Sequence, residues 1–429
     1  MEIPYEKYEL DNGLDVILAP DRSTPVVYVS VWYHVGSKDE TAGLTGFAHL
    51  FEHLMFQGSL SHDDEYFGPL QEVGATINGT TSFDRTNYYE YLPSQHLPLA
   101  LFMESDRMGY LLEVLTQDKL DNQRLVVRNE RRQRYEDPPY GDAWGLLSEN
   151  MFQSDHPYHH LPIGSHADLE AADLTAVKDF FKKWYAPSNA SLLVAGDFDT
   201  ETTKQRIEEY FGPIKGGEKV VRPTIEPAAL KESKTLVRYD DVPERKVWLA
   251  WHTPALFQPG DAELDLFSSV IASGMDSRLY KALVRDQKVA KSVNAFQMSG
   301  NLSSRYLIMA TATEDHTTEE LVAAIDAELA TVFDSAPPTA DEISAAKANY
   351  ERRFYEGQET IQGKGETLQI YNMNQSDPGY VNKDLQRYLQ STAESTLEAG
   401  KKYLNKPRFE LHYLPESDRP ESAPETGGE

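Results

Sequence analysis

Two imidazoles and a carboxylate recur at helical spacing in Gly46-Phe47-Ala48-His49-Leu50-Phe51-Glu52-His53-Leu54-Met55-Phe56. His49 and His53 are four apart and Glu52 follows His49 by three, so on a helix all three share one face within about one turn. Two neutral imidazoles so placed can hold one Zn²⁺, and the neighbouring carboxylate can take a proton from the attacking water. The order His-x-x-Glu-His inverts the commoner His-Glu-x-x-His of zinc proteases. A catalytic zinc normally has three protein ligands and an open position, so two histidines leave the set incomplete. The chain has no cysteine, and the missing ligand must be His, Asp or Glu. The polar stretch that follows offers Asp118, Asp121, Glu130 and Glu136, and spacing alone does not choose among them.

The elements that must position these groups are legible from periodicity. Tyr5 to Leu10 and Leu14 to Ala19 alternate apolar with polar around Asp11-Asn12-Gly13, which predicts a β-hairpin. Val26 to Gly36, rich in β-branched and aromatic residues, predicts a longer strand. A polar loop, Ser37 to Gly43, then leads into the motif helix with Thr45 as its N-cap. Ala75 to Thr81 and Arg85 to Leu92 form a second strand pair around Ser82-Phe83-Asp84. If one of these is an edge strand beside the metal, its free N–H and C=O groups at Asn78, Gly79 and Thr80 can hold a substrate peptide by β-addition. Gln95 to Tyr110 reads as an amphipathic helix and Asp118 to Tyr135 as a long polar one.

Composition narrows the function classes. At 429 residues the chain is long enough for two or more cores. With 41 Lys+Arg against 69 Asp+Glu the formal charge is −28, which argues against a nucleic-acid partner and suits basic or extended polypeptide ligands. Without cysteine, disulfides, thiolate zinc sites and cysteine nucleophiles are excluded. No run of eighteen apolar residues predicts a membrane span, and Met1-Glu2-Ile3-Pro4 has no basic or apolar leader character. The expectation is a cytoplasmic protein, or a periplasmic or secreted one whose targeting segment has been removed.

His49-Leu50-Phe51-Glu52-His53, followed 77 residues later by Glu130 in Val126-Val127-Arg128-Asn129-Glu130-Arg131-Arg132, resembles the pitrilysin/insulinase family of zinc peptidases. It is most similar to the shorter members, of the mitochondrial processing peptidase type and its bacterial relatives. Gly74 to Asn78 with Asp84-Arg85-Thr86, His156-Pro157-Tyr158 with Ile163-Gly164, Tyr185 to Asn189, Gly196 to Asp199, and Ser277 to Tyr280 carry the resemblance through both halves. It implies one zinc per chain held by His49, His53 and Glu130, with Glu52 as general base. It further implies an α+β fold of two similar sandwich halves, each a mixed, mainly antiparallel sheet with helices packed on it, forming a clam-like chamber. Many members carry a glutamate seven residues before the ligand glutamate; here that auxiliary position is Gln123, which can hydrogen-bond but cannot take a proton. The family's second-half arginine and tyrosine map less directly: Tyr371 is the tyrosine candidate, and with no arginine between Arg353 and Arg387 the arginine is absent, replaced by Lys364 or supplied by another chain.

A faint internal repeat supports two halves independently. Lys182-Lys183-Trp184-Tyr185-Ala186-Pro187 precedes the apolar run Ala190 to Ala195, and Lys401-Lys402-Tyr403-Leu404-Asn405-Lys406-Pro407 precedes Phe409 to Leu414. The expected division is a catalytic half over 1–214, a polar Gly/Pro-bearing linker over 215–230, an inactive substrate-covering half over 231–414 and a disordered acidic tail over 415–429. The second half lacks His-x-x-Glu-His, and its lone His252 and His316 read as structural or surface residues. The functional expectation is zinc-dependent endopeptidase or oligopeptidase action on peptides or unfolded segments, by a homodimer or a heterodimer with a related subunit. The rival is a polypeptide-binding subunit that does not cut.

Overall fold

In the computed structural model, which describes residues 3–64 and 66–420, the strands in chain order are β1 (Glu6–Glu9), β2 (Asp15–Pro20), β3 (Val26–Tyr33), β4 (Thr76–Thr81), β5 (Thr86–Pro93), β6 (Ala190–Gly196), β7 (Lys234–Asp240), β8 (Lys246–Thr253), β9 (Ala290–Met298), β10 (Ser304–Ala312) and β11 (Phe409–Pro415). The helices are α1 (Phe47–Leu54), α2 (Phe67–Glu72), α3 (Leu97–Val114), α4 (Gln117–Arg131), α5 (Ala143–Met151), α6 (His166–Ala171), α7 (Leu174–Trp184), α8 (Thr200–Phe211), α9 (Asp261–Ala272), α10 (Thr318–Asp334), α11 (Ala340–Glu356), α12 (Ile361–Gln375), α13 (Val381–Gln390) and α14 (Ala393–Leu404). One sheet runs β1-β2-β6-β3-β5-β4 and the other β7-β11-β8-β10-β9. In each, one pair is parallel, β2 with β6 and β7 with β11, and the remaining pairs are antiparallel. This is the expected α+β class. The repeat also acquires a structural meaning, because β6 and β11 occupy corresponding places. Each follows a helix and a basic-aromatic turn, and each lies between a parallel and an antiparallel neighbour.

The compact units are not the contiguous halves 1–214 and 231–414. One comprises Met1–Arg132, His160–Thr224 and Phe354–Asn382; the other Gln133–His159, Ile225–Arg353 and Lys383–Glu429. Each half of the chain lends a segment to the other unit, and apolar burial is the reason. In the first unit α12 packs Ile361 and Leu368 against Ile17, Tyr28 and Leu193 of the sheet. Alternate residues point the other way, so Tyr33 and Tyr88 meet on the opposite face, where α1 and α3 lie. In the second unit the borrowed α5 packs on β8 and β11. The main core of that unit joins Leu249, Trp251, Tyr306 and Ile308 to Phe267, Leu321, Ile325 and Leu404 of α9, α10 and α14.

Residues 215–230 contain neither helix nor strand. The expected tail from 415 is corrected at its start: Pro415 closes β11 and Glu416–Asp418 forms a 3-10 turn, while 421–429 lie outside the described residues. Among the described residues no helix is long and apolar enough to cross a membrane.

Candidate metal centre

At eight residues α1 is too short to be stable alone, so packing must hold it. Phe47, Ala48, Leu50, Phe51 and Leu54 are buried, and the Phe51 ring stacks on Phe180 at 5.6 Å. Two buried tyrosines reach its backbone: Tyr88 donates to the Phe51 carbonyl and Tyr185 to the Ala48 carbonyl, each at 3.3 Å. The N-terminus departs from expectation. Gly46, not Thr45, is the N-cap, with φ of 89°. The fully buried Glu40 carboxylate supplies the cap from a distance, accepting from the amides of Gly46 at 2.9 Å and Ala48 at 2.8 Å. Thr45 instead gives both its amide and its hydroxyl to Asp168.

With α1 fixed, the His49 and His53 rings stand 4.9 Å apart and nearly perpendicular at 80°. Glu130, on the last turn of α4, brings one carboxylate oxygen to 3.7 Å from His49 Nε2 and 3.2 Å from His53 Nε2. Donors bound tetrahedrally at about 2.0–2.1 Å from zinc lie about 3.3 Å from one another, so this set is spaced to hold that ion. Glu52 also comes within 4.8 Å of both imidazoles, so two carboxylates compete for the third-ligand place. The shorter separations favour Glu130. Asp118 is exposed, Asp121 pairs with Arg124, and Glu136 lies in the π-turn beyond α4.

Burial pushes the Glu52 carboxyl above its usual range. The Thr81 hydroxyl, His53 and Arg85 pull it down, and the Glu130 charge adds to the rise. Thr81 ends β4, which forms one edge of its sheet and, among the described residues, pairs only with β5. The strand approaches α1 closely because position 79 is glycine: a Cβ there would lie 3.1 Å from Glu52 Cγ and Phe56 Cε2. Asn78 is exposed, whereas Thr80 gives its hydroxyl to Asn87 and its carbonyl accepts from Arg85 at 3.1 Å. The Arg85 guanidinium is stacked 4.8 Å over Trp32, and burial lowers its pKa. Thr81 and Glu40 had no functional signal in the sequence, since a threonine and a glutamate in polar stretches are ordinary; Arg85 was marked only through the resemblance carried by Asp84-Arg85-Thr86.

Residues 15–160 match the family described as Insulinase (Peptidase family M16), and residues 171–350 match Peptidase M16 inactive domain. The zinc protease PqqE of Helicobacter pylori is 31% identical over 314 residues, covering 71% of this chain and 69% of that protein. The chain belongs to peptidase family M16. A zinc protease of Bacillus subtilis, YmxG, is 24% identical over 295 residues, 68% of this chain and 70% of its own. The solved structure of a protease from Helicobacter pylori superposes with a TM-score of 0.89 at 26% identity, over 97% of this chain and 100% of that one.

The remaining residues singled out from this M16 sequence fall in different places. Gln123 is buried on the face of α4 that carries Glu130, two turns earlier. Lys364 pairs with Asp21 at 2.5 Å, and Tyr371 is buried against Tyr380. His252 is a buried, neutral histidine hydrogen-bonded to the Met151 carbonyl, its pKa pushed down to about 4 by burial. His316 pairs with Glu320.

Proposed function

We propose that this chain is a zinc-dependent endopeptidase or oligopeptidase in which His49, His53 and Glu130 hold the metal and Glu52 is the general base. The observation that carries the reading is the single Glu130 oxygen within 3.2 and 3.7 Å of the two imidazoles, with Glu52 beside them. Zinc-protease relatives support the metal and the reaction class. When bound, Zn²⁺ supplies Lewis acidity, polarising the scissile carbonyl and acidifying the attacking water. Glu52 accepts that water's proton and delivers it to the leaving nitrogen. The Thr81 hydroxyl favours the charged form of that carboxylate. The free edge of β4 presents backbone groups to an extended polypeptide, with Gly79 keeping the strand close to Glu52 and the exposed Asn78 available to the substrate. The favoured substrate is therefore a peptide or unfolded segment with a strand's worth of free backbone.

Glu52→Gln is expected to keep its zinc and lose hydrolysis of a peptide library by about 10²–10⁴-fold, the usual range for a general base. Undiminished cleavage in that variant rules out the assigned role. His49→Ala, His53→Ala and Glu130→Ala should each lower zinc content by metal analysis, and wild-type content in Glu130→Ala means that the third ligand is another residue.

A further inference from the structure

The two helices that carry the metal-binding side chains are gripped by one short segment that contributes no ligand. At the start of α1, His160 Nε2 lies 2.8 Å from the Glu40 carboxylate that caps the helix. Asp168 accepts from the Thr45 amide at 3.0 Å, and the Ser165 amide donates to the Thr45 hydroxyl at 3.0 Å. At the end of α4 the same segment is held by the arginines flanking Glu130. Arg131 donates to the Gly164 carbonyl at 2.6 Å. Arg128 donates to His166 Nδ1 at 3.2 Å and pairs with Glu170 at 2.6 Å.

Gly164 is where the two grips meet. It and Gly46 face each other in left-handed conformations, φ of 71° and 89°. A Cβ on Gly164 would lie 2.4 Å from both the Gly46 Cα and the Thr45 carbonyl oxygen, so only glycine lets the segment's backbone rest on the entry to α1. The Gly164 carbonyl meanwhile points to Arg131, one residue beyond Glu130. The backbone of one residue thus touches both helices.

We propose that segment 160–170 is a positioning clamp that sets the spacing between His49/His53 and Glu130, with Gly164 as its bearing point. This rests on the zinc-site reading above. The clamp acts through helix placement and touches no reacting atom. Metal–ligand distances hold to within about 0.2 Å of their usual values, and losing a group that orients a ligand typically weakens metal affinity by about 10–100-fold.

The test is zinc affinity by chelator competition, alongside urea unfolding of the metal-free protein, for the unaltered chain, Gly164→Ala, Arg131→Ala, Thr45→Val and the Thr45→Val/Arg131→Ala pair. Gly164→Ala and Arg131→Ala should each weaken zinc binding by about 10–100-fold, and by more than any shift in metal-free stability accounts for. Thr45 holds the segment from the α1 side and Arg131 from the α4 side. Releasing either side disengages the clamp, so the double variant should bind zinc little worse than the weaker single one. Additive losses, or wild-type zinc affinity in both Gly164→Ala and Arg131→Ala, overturn the clamp. Wild-type affinity in Arg131→Ala alone also overturns it if Gly164→Ala fails to fold. If the unaltered chain does not bind zinc one-to-one, the site reading fails and the clamp with it; one-to-one binding that is indifferent to these substitutions sinks only the clamp.

Discussion

Asp265 shows what burial does to a single carboxyl away from the metal centre. It lies on α9, accepts a hydrogen bond from Tyr388 at 2.7 Å, and is raised to about 7, by burial first and then by the charge of Asp261. The unfolded chain releases this proton near pH 4 and the folded chain near pH 7, so between those values the folded state holds the extra proton. This contribution to stability is complete below the unfolded pKa and is lost as pH rises through the folded one, with a slope of up to ~1.4 kcal/mol per pH unit. Urea midpoints measured from pH 4 to pH 8 should fall less steeply for Asp265→Asn than for the unaltered chain; parallel curves refute the assignment. Residue by residue, the sequence was informative where chemistry is local. His49, Glu52 and His53 are legible because three- and four-residue spacing fixes a shared helical face. Glu130 comes from a separate helix, and only resemblance singled it out from Asp118, Asp121 and Glu136. Glu40 was hidden altogether, because a glutamate in a polar loop looks solvent-exposed until the fold buries it.

At the scale of elements, α1 leans on a charged core that its own sequence does not announce. Arg107 of α3 is fully buried, donates to both oxygens of Glu104 and lies 3.5 Å from Glu90 of β5, which also accepts from Tyr66 at 3.2 Å. The rings of Tyr66 and Tyr88 cover the guanidinium at 4.3 Å, and Phe56, just beyond α1, lies at 5.3 Å. Two carboxyls share one arginine, and burial together with the Glu104 charge raises Glu90 well above the usual range. Arg107→Met leaves the Glu104 charge buried without its partner. The expected cost is ~3–5 kcal/mol by urea denaturation, partly recovered by adding Glu104→Gln. A loss under ~1 kcal/mol in the single variant shows that the pair is not worth its desolvation. Periodicity could not foresee this cluster. The alternation in β5 places Glu90 inward with Tyr88 and Leu92, where a sequence reading expects apolar residues, and its partners come from a separate helix. The strands and helices expected from period alone nonetheless formed, whereas α2, α5, α6, α8 and α12 were not foreseen. Among the expected elements the errors fell at helix ends: the N-cap of α1 is satisfied by Glu40 across the loop, and α4 gives way after Arg131 to a π-turn over Arg132–Glu136.

For the whole chain, the repeat revealed two sheets but not which segments complete them. The exchanged α12 has its own mark in Gly365, where a Cβ would lie 2.6 Å from the Tyr28 ring, so the helix backbone rests directly on the first sheet. Gln369 of the same helix donates to the carbonyls of Ser30 and Ser191 at 3.3 and 3.1 Å. Nothing in residues 354–382 states that they belong with strands more than 150 positions earlier, because a surface helix and a core-completing one share the same local pattern. A fragment of residues 1–224 therefore has the whole proposed ligand set but lacks the helix that covers one face of its sheet. It should unfold without a sharp cooperative transition and bind a hydrophobic dye, and co-expression with 225–429 should restore cooperative unfolding. A cooperative transition in the isolated fragment means that α12 is dispensable to that core. The magnitudes favour dependence. Removing α12 takes Ile361 and Leu368 out of the core and bares Ile17, Tyr28 and Leu193. At roughly 1.5–3 kcal/mol for each large apolar side chain, that loss is comparable to the roughly 5–15 kcal/mol that keeps an ordinary domain folded. The proposed metal centre on the opposite face then has no rigid sheet to stand on, so the fragment should also bind zinc more weakly than the full chain despite retaining His49, His53 and Glu130.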